Sequence, residues 1–191
     1  MLLLRRWKAA DKETFTAMNR DARVMEFFAR IWTAEESAAM IAKAEACMDQ
    51  NGYGPYAVEL LDPAGTVGGA VTGAVGVTAL AAGDFIGFVG LLPQTFEAWF
   101  TPCVEIGWRL RAEAWGCWFA TEAATECLRF GLDEVGLERI YSTTAVPNIR
   151  SERVMQKIGM RKAGEFEHPR LEEGSWLRTH VLYEATRTVI P

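Results

Sequence analysis

The residues best placed to do chemistry fall in two short stretches. The first is V-E-I-G-W-R-L-R-A-E-A-W-G-C-W-F-A-T-E-A-A-T-E-C-L, Val104 to Leu128. It opens on the two-residue period of a strand, Val104, Ile106, Trp108 and Leu110 alternating with Glu105, Gly107 and Arg109. It closes on the helical spacing of Ala120, Ala123, Ala124, Cys127, Leu128 and Gly131. Between them is a tight turn, Arg111 to Phe119, with Gly116 inside it. A strand feeding a turn at a helix N-terminus holds anions, because the first-turn N–H groups lack intrahelical partners and the dipole adds positive charge. Phosphate is the natural ligand. Neither the G-x-G-x-x-G of dinucleotide sites nor a Walker Gly-Lys-Ser/Thr is present.

The second stretch is V-P-N-I-R-S-E-R-V-M-Q-K-I-G-M. It reads as a helix from about Ile149 to Ile158 closed by Gly159. Asn148 serves it as an ordinary N-cap, and Ser151 satisfies backbone in the first turn. Glu105 projects opposite to Val104 and Ile106, as a half-exposed strand carboxylate paired with Arg109. Cys117, a thiol at a helix N-terminus, has two readings: a nucleophile of lowered pKa, or a solvent-facing loop residue with no His near it in sequence. Ser37, Ser142, Ser151 and Ser175 stand in no G-x-S-x-G elbow, which excludes that hydrolase chemistry.

Trp115-Gly-Cys-Trp-Phe-Ala-Thr-Glu-Ala123 resembles the pyrophosphate loop of the GNAT N-acetyltransferases, [Q/R]-x-x-G-x-[G/A], often W-G-x-G-Y-A-T-E-A, and in particular the RimJ/RimL-like branch. N-x-x-S-x-x-[VL]-x-x-x-G-[FM] matches at Asn148, Ser151, Val154, Gly159 and Met160, and the last two strands resemble the same relatives. The resemblance implies one α+β domain over residues 1–191. Its central, mostly antiparallel, twisted sheet is splayed between strands four and five and flanked by helices on both faces. It implies acetyl-CoA as co-substrate and a primary amine, on a protein N-terminus or a small molecule, attacking the thioester directly. The cofactor would lie on Ile106, Gly107 and Trp108, on the turn through Arg111, Trp115, Gly116, Cys117 and Trp118, on Phe119, Ala120 and Thr121, and against Asn148. Glu105 resembles the glutamate that draws the amine proton through water, and Ser151 the acid at the departing thiolate. An α-amino group, of pKa about 7.7 to 8.0, needs less help than a lysine at about 10.4.

One departure has consequences. Trp118 stands where the family has the glycine that approaches the pyrophosphate, and tryptophan has no special access to positive φ. Three outcomes are open. The ring swings outward and leaves the N–H groups usable; it weakens or abolishes cofactor binding, leaving a GNAT-fold binding or regulatory module; or it covers the adenine by stacking.

The elements that must position these residues follow in order. Leu2 to Trp7 reads as a strand. Asp11 caps a helix to about Ala22 that buries Phe15 and Met18. Thr33 and Glu36 form a capping box for a second helix, apolar at Met40, Ile41, Ala44 and Met48, that stops at Asn51-Gly52. Met25, Phe27 and Phe28 between them read as core residues, while the resemblance puts the acceptor pocket there. Gly54 to Leu61 and Phe85 to Leu92 form an antiparallel hairpin. The insert at 63–83 between them, Gly, Ala, Val and Thr with one Leu, is longer than a hairpin loop. It reads as an extended arm or flap that pairs with the Phe85 strand and is buried at a homodimer contact, or as disorder, in preference to a membrane span. Leu137 to Ala145 is a β-branched strand, and the last two strands lie around Met160 to Glu167 and Thr179 to Ala185.

Half of the 191 residues are hydrophobic, enough for one full-sized core. A net charge of −5 argues against a nucleic-acid partner. The four cysteines form no C-x-x-C pair and have only His168 and His180 for company, which argues against a metal site and for a reducing cytoplasm. Met1-Leu-Leu-Leu, followed at once by Arg5-Arg6, is too brief for a signal peptide.

Overall fold

The computed structural model describes residues 1–62 and 80–187. Seven strands, β1 (Leu2–Arg5), β2 (Pro55–Leu60), β3 (Phe85–Gln94), β4 (Cys103–Leu110), β5 (Arg139–Ala145), β6 (Arg161–Glu167) and β7 (Thr179–Thr186), form one sheet ordered β1-β2-β3-β4-β5-β7-β6. Every neighbouring pair is antiparallel except β4 and β5. Four helices flank it: α1 (Asp11–Arg20), α2 (Ala34–Asn51), α3 (Phe119–Arg129) and α4 (Ile149–Lys157).

Strand alternation divides the core. Val58, Leu60, Val89, Leu91, Ile106 and Ile140 meet Ala123, Ala124, Cys127 and Leu128 of α3 and Met155 of α4 on one side. Ala57, Phe85 and Phe88 meet Phe15 and Met18 of α1 on the other. The small stripe of α3 lets that helix lie close to the sheet; a Cβ at Gly131, just beyond it, would fall within 2.8 Å of both Ile140 and Leu91. Among the described residues no helix is long and apolar enough to cross a membrane.

Several local readings are corrected. Asp11 is the first residue of α1, not its cap: the N-cap is Ala10, and the Asp11 carboxylate accepts the Lys8 N–H at 2.8 Å and both Arg5 Nη groups at 2.7 and 2.8 Å. The helix ends at Arg20, two residues early, where Asp21 turns extended. The capping box at Thr33 and Glu36 is formed, and Gly52 ends α2 in the left-handed region at φ 75°. Past Arg129 the chain winds into a π-helical turn, Phe130–Glu134, that the spacing gave no sign of. The hairpin between β2 and β3 is closed at its base by Gly83 N–H to Leu60 O and Leu60 N–H to Asp84 O. The arm, its pairing and the dimer contact expected of the insert lie in residues 63–79, outside the described residues.

Candidate active site

The parallel contact of β4 with β5 sets the geometry, because it is confined to one register pair, Glu105 with Tyr141. Beyond it the strands part, and Ser142 Oγ reaches across to donate to Ile106 O at 3.0 Å. A strand sends the N–H and C=O of successive residues to alternate edges. Ile106 therefore faces β5, while Arg111 faces β3, where its N–H donates to Ile86 O at 2.9 Å. Trp108, two residues past Ile106, turns its N–H and C=O into the gap between the strands. Leu110 O, two further on, accepts the Trp115 Nε1–H at 3.1 Å and so ties the following turn to the strand.

That turn contains a 3-10 stretch, Ala112–Ala114, then Gly116 at φ 78° and Trp118 at φ 66°. Trp118 is the one non-glycine residue at positive φ among the described residues, and the left-handed region costs a bulky L-residue about 1–2 kcal/mol. Trp118 is 63% exposed at the rim of the cavity, its ring under Lys157, whose Nζ sits 3.8 Å from the centroid. The first helical N–H with a protein acceptor is that of Glu122, to Trp118 O at 2.9 Å. From Gly116 to Thr121 no backbone N–H donates to a protein acceptor among the described residues. Six consecutive unpartnered donors at the end of a sheet gap are the arrangement that an anion site requires.

Groove and turn join in one cavity of about 740 Å³. Of the residues expected there, Glu105, Gly107, Trp108, Trp115, Gly116, Trp118, Phe119, Ala120, Thr121, Asn148 and Ser151 line it. Ile106 is fully buried on the opposite face of β4, and neither Arg111 nor Cys117 reaches the wall. The Arg111 side chain lies 3.5 Å from Glu113, and Cys117 Sγ points back to Trp115 O at 3.6 Å.

Glu105 does not pair with Arg109. Same-face residues four apart on a strand are about 13 Å apart, beyond ion-pair reach. Glu105 Oε1 instead accepts the Thr143 N–H at 3.2 Å and the Thr143 hydroxyl at 2.5 Å, across the mouth of the gap. Burial holds its pKa above the usual carboxylate value against these hydrogen bonds. Asn148 is the N-cap of α4: its Oδ1 accepts the Ser151 N–H at 3.3 Å, and its Nδ2 donates to Thr144 Oγ1 at 3.0 Å. The Ser151 hydroxyl faces the cavity with no protein partner among the described residues.

The structure adds residues that the sequence reading passed over. Arg150, Arg153 and Lys157 line the cavity from one stripe of α4 opposite the turn, with Arg150 also stacked 4.4 Å from the Trp115 ring. Their spacing of three and four was legible, but the acidic total drew attention away from a local basic face. Phe27, Phe28, Gln94, His168 and His180 also line the cavity, Phe27 with its ring 5.7 Å from the Arg150 guanidinium, whereas Met25 is in the core. The imidazoles lie 4.9 Å apart, centroid to centroid. His180 Nδ1 faces Arg178 O at 3.1 Å, which fixes the proton on Nδ1 and leaves Nε2 as an acceptor. Desolvation lowers both histidine pKa values, that of His168 to about 4.

A splayed parallel pair beside an unpartnered turn is the arrangement a family comparison can test. Residues 1–161 match the Acetyltransferase (GNAT) domain. This chain belongs to the GNAT acetyltransferase family. Curated GNAT relatives include the uncharacterized N-acetyltransferase YnaD of Bacillus subtilis, 44% identical over 63 residues, 33% of this chain and 37% of that one. The chain spans under half the length of the curated relatives it matches. Its fold is that of solved GNAT proteins. An acetyltransferase from Bacillus anthracis superposes with a TM-score of 0.71 at 24% identity, covering 97% of this chain and 95% of that one. RimJ of Mycobacterium smegmatis, solved with CoA-disulfide, gives 0.70 at 18%, covering 97% and 81%.

Proposed function

We propose that the protein transfers acetyl from acetyl-CoA to a primary amine, on a small molecule or a peptide N-terminus, by direct attack on the thioester. The observation that carries this is the run of unpartnered N–H groups from Gly116 to Thr121 at the end of the gap between β4 and β5. The diphosphate lies on those amides, with Arg153 and Lys157 opposite as counter-charge. The pantetheine arm runs along the gap, its amides hydrogen-bonded to the Trp108 backbone, and the Trp108 N–H faces the thioester oxygen as negative charge develops there. RimJ, solved with CoA-disulfide in a fold of the same kind, supports a CoA thioester as the donor.

Glu105 takes the proton lost by the amine, through a water, and Thr143 keeps its carboxylate aimed into the gap. The nitrogen lone pair forms the new C–N bond, the C–S bond breaks, and the departing thiolate takes a proton through the Ser151 hydroxyl, which is resupplied from solvent in the same relay. Asn148 contributes by fixing the first turn of α4 and hence Ser151, since both ends of its amide are already engaged. Ile106, Arg111 and Cys117 touch no substrate in this reading. The Trp118 ring at the rim leaves the notch open, so the reading as a binding module without acetyl-CoA has no observation in its favour. A thiol-release assay with acetyl-CoA and an amine panel is the test. Amine-dependent release is expected, and intact protein that binds CoA but reacts with no amine would overturn the proposal.

A further inference from the structure

We infer that the acceptor carries a carboxylate, bound by Arg109, a few bonds from the amine that is acetylated; this rests on the transfer reaction proposed above. Arg109 is 7% exposed, yet it lines the cavity. Its guanidinium lies between the rings of Phe28, 4.0 Å from the centroid, and Trp32, at 4.2 Å, and Nη1 donates to Asn19 Oδ1 at 2.7 Å. Nε is buried with no acceptor at all. No carboxylate pairs with Arg109 among the described residues; Glu105, on the same strand face, is held by Thr143, and four acids of the neighbouring segments pair with other cations. Glu26 pairs with Arg150, Asp21 and Glu113 with Arg23, and Glu36 with Arg30.

A buried cation without a counter-ion is expensive, and burial accordingly pushes its pKa down to about 9. Aromatic faces recover part of that cost. The rest is recovered when an anion enters, and the planar fork of donors matches a carboxylate. A singly charged, flat group also suits walls made of Phe27, Phe28 and Phe88 better than a more strongly hydrated phosphate dianion does.

The same strand face sets the spacing. Glu105 and Arg109 flank Gly107, where a Cβ would meet nothing within 4 Å, so the floor between them is open. An amine at the Trp108 end of the gap, deprotonated toward Glu105, leaves its anionic group directed at Arg109.

Matched acid and amide pairs test this: phenylalanine with phenylalaninamide and 4-aminobutyrate with its amide, assayed for transfer with acetyl-CoA as donor, and the amine-free pair 3-phenylpropionate and 3-phenylpropanamide, titrated into protein saturated with CoA. Calorimetry with the amine-free pair reads carboxylate recognition without any transfer, so it separates this inference from the reaction on which it rests. Acids are expected to bind, and where they carry an amine to be acetylated, about tenfold or more better than amides. Arg109→Met should erase the preference while leaving the CoA dissociation constant unchanged, and Arg109→Lys should retain part of it. Equal or better binding of the amides by the wild-type protein, a readout independent of how the variants fold, overturns the inference. So does a preference that survives in folded Arg109→Met.

Discussion

Replacing Trp118 by glycine separates what its backbone does from what its ring does. Relief of the left-handed conformation at φ 66° stabilises the variant by about 1–2 kcal/mol. Against this stand the greater freedom of glycine in the unfolded chain, about 0.5–1 kcal/mol, and the loss of the exposed ring contact with Lys157, about 0.5–1 kcal/mol. These nearly cancel, so the melting temperature should stay within about 3 °C of wild type, since 1 kcal/mol corresponds to about 2–4 °C at this chain length. Glycine keeps the turn, and the ring stands outside the notch. Calorimetric titration with CoA should therefore give a dissociation constant within about threefold of wild type, or about 0.6 kcal/mol. Trp118→Val does the opposite: a β-branched residue resists the left-handed region, the amides lose their convergence, and affinity should fall about tenfold or more. A glycine variant that binds CoA ten times more tightly would mean that the indole plugs the site. A valine variant that binds like wild type would mean that the turn geometry is irrelevant. Either result refutes the reasoning.

Glu105→Gln should lower kcat by about a hundredfold while keeping the acceptor oxygen for Thr143. Because the folded pKa of Glu105 is raised, the carboxyl costs stability as pH rises above its unfolded value, so the same variant should melt higher than wild type at pH 7 but not at pH 4, by calorimetric scan. Arg153→Ala and Lys157→Ala should each raise KM for acetyl-CoA about 3- to 10-fold with kcat little changed, in steady-state kinetics. His168 is held neutral, with a folded pKa of about 4 against 6.5 unfolded, so it binds its proton more readily unfolded; stability should fall as pH drops through that window, and His168→Gln should flatten the fall in a melting series.

What the sequence made legible was local. Strand alternation from Val104 to Leu110, the small stripe of α3, the capping box at Thr33 and the closing Gly159 each reflect a period or cap that neighbouring residues determine, and each appears as read. The relations that eluded it join residues far apart in the chain. Asp11 has the chemistry of a cap, but Arg5 on β1 and the Lys8 N–H claim its carboxylate. Glu105 meets Thr143, 38 residues away, rather than Arg109, and Arg109 is enclosed by Asn19, Phe28 and Trp32 from the first third of the chain. At Trp118 the residue type argued against the backbone conformation, yet the turn enforces it and leaves the ring at the rim of the cavity. Such a local rule broken in the turn of a candidate site is the expected place for sequence reasoning to stop short.

The account rests on the Gly116–Thr121 amides gripping a diphosphate, and titration of the wild-type protein with CoA and with pantetheine, which lacks the phosphates, tests that most directly. It predicts saturable one-to-one binding of CoA and binding of pantetheine at least a hundredfold weaker, because the charge-assisted contacts lie on the phosphates. No heat with CoA, or equal affinity for the two, would contradict it.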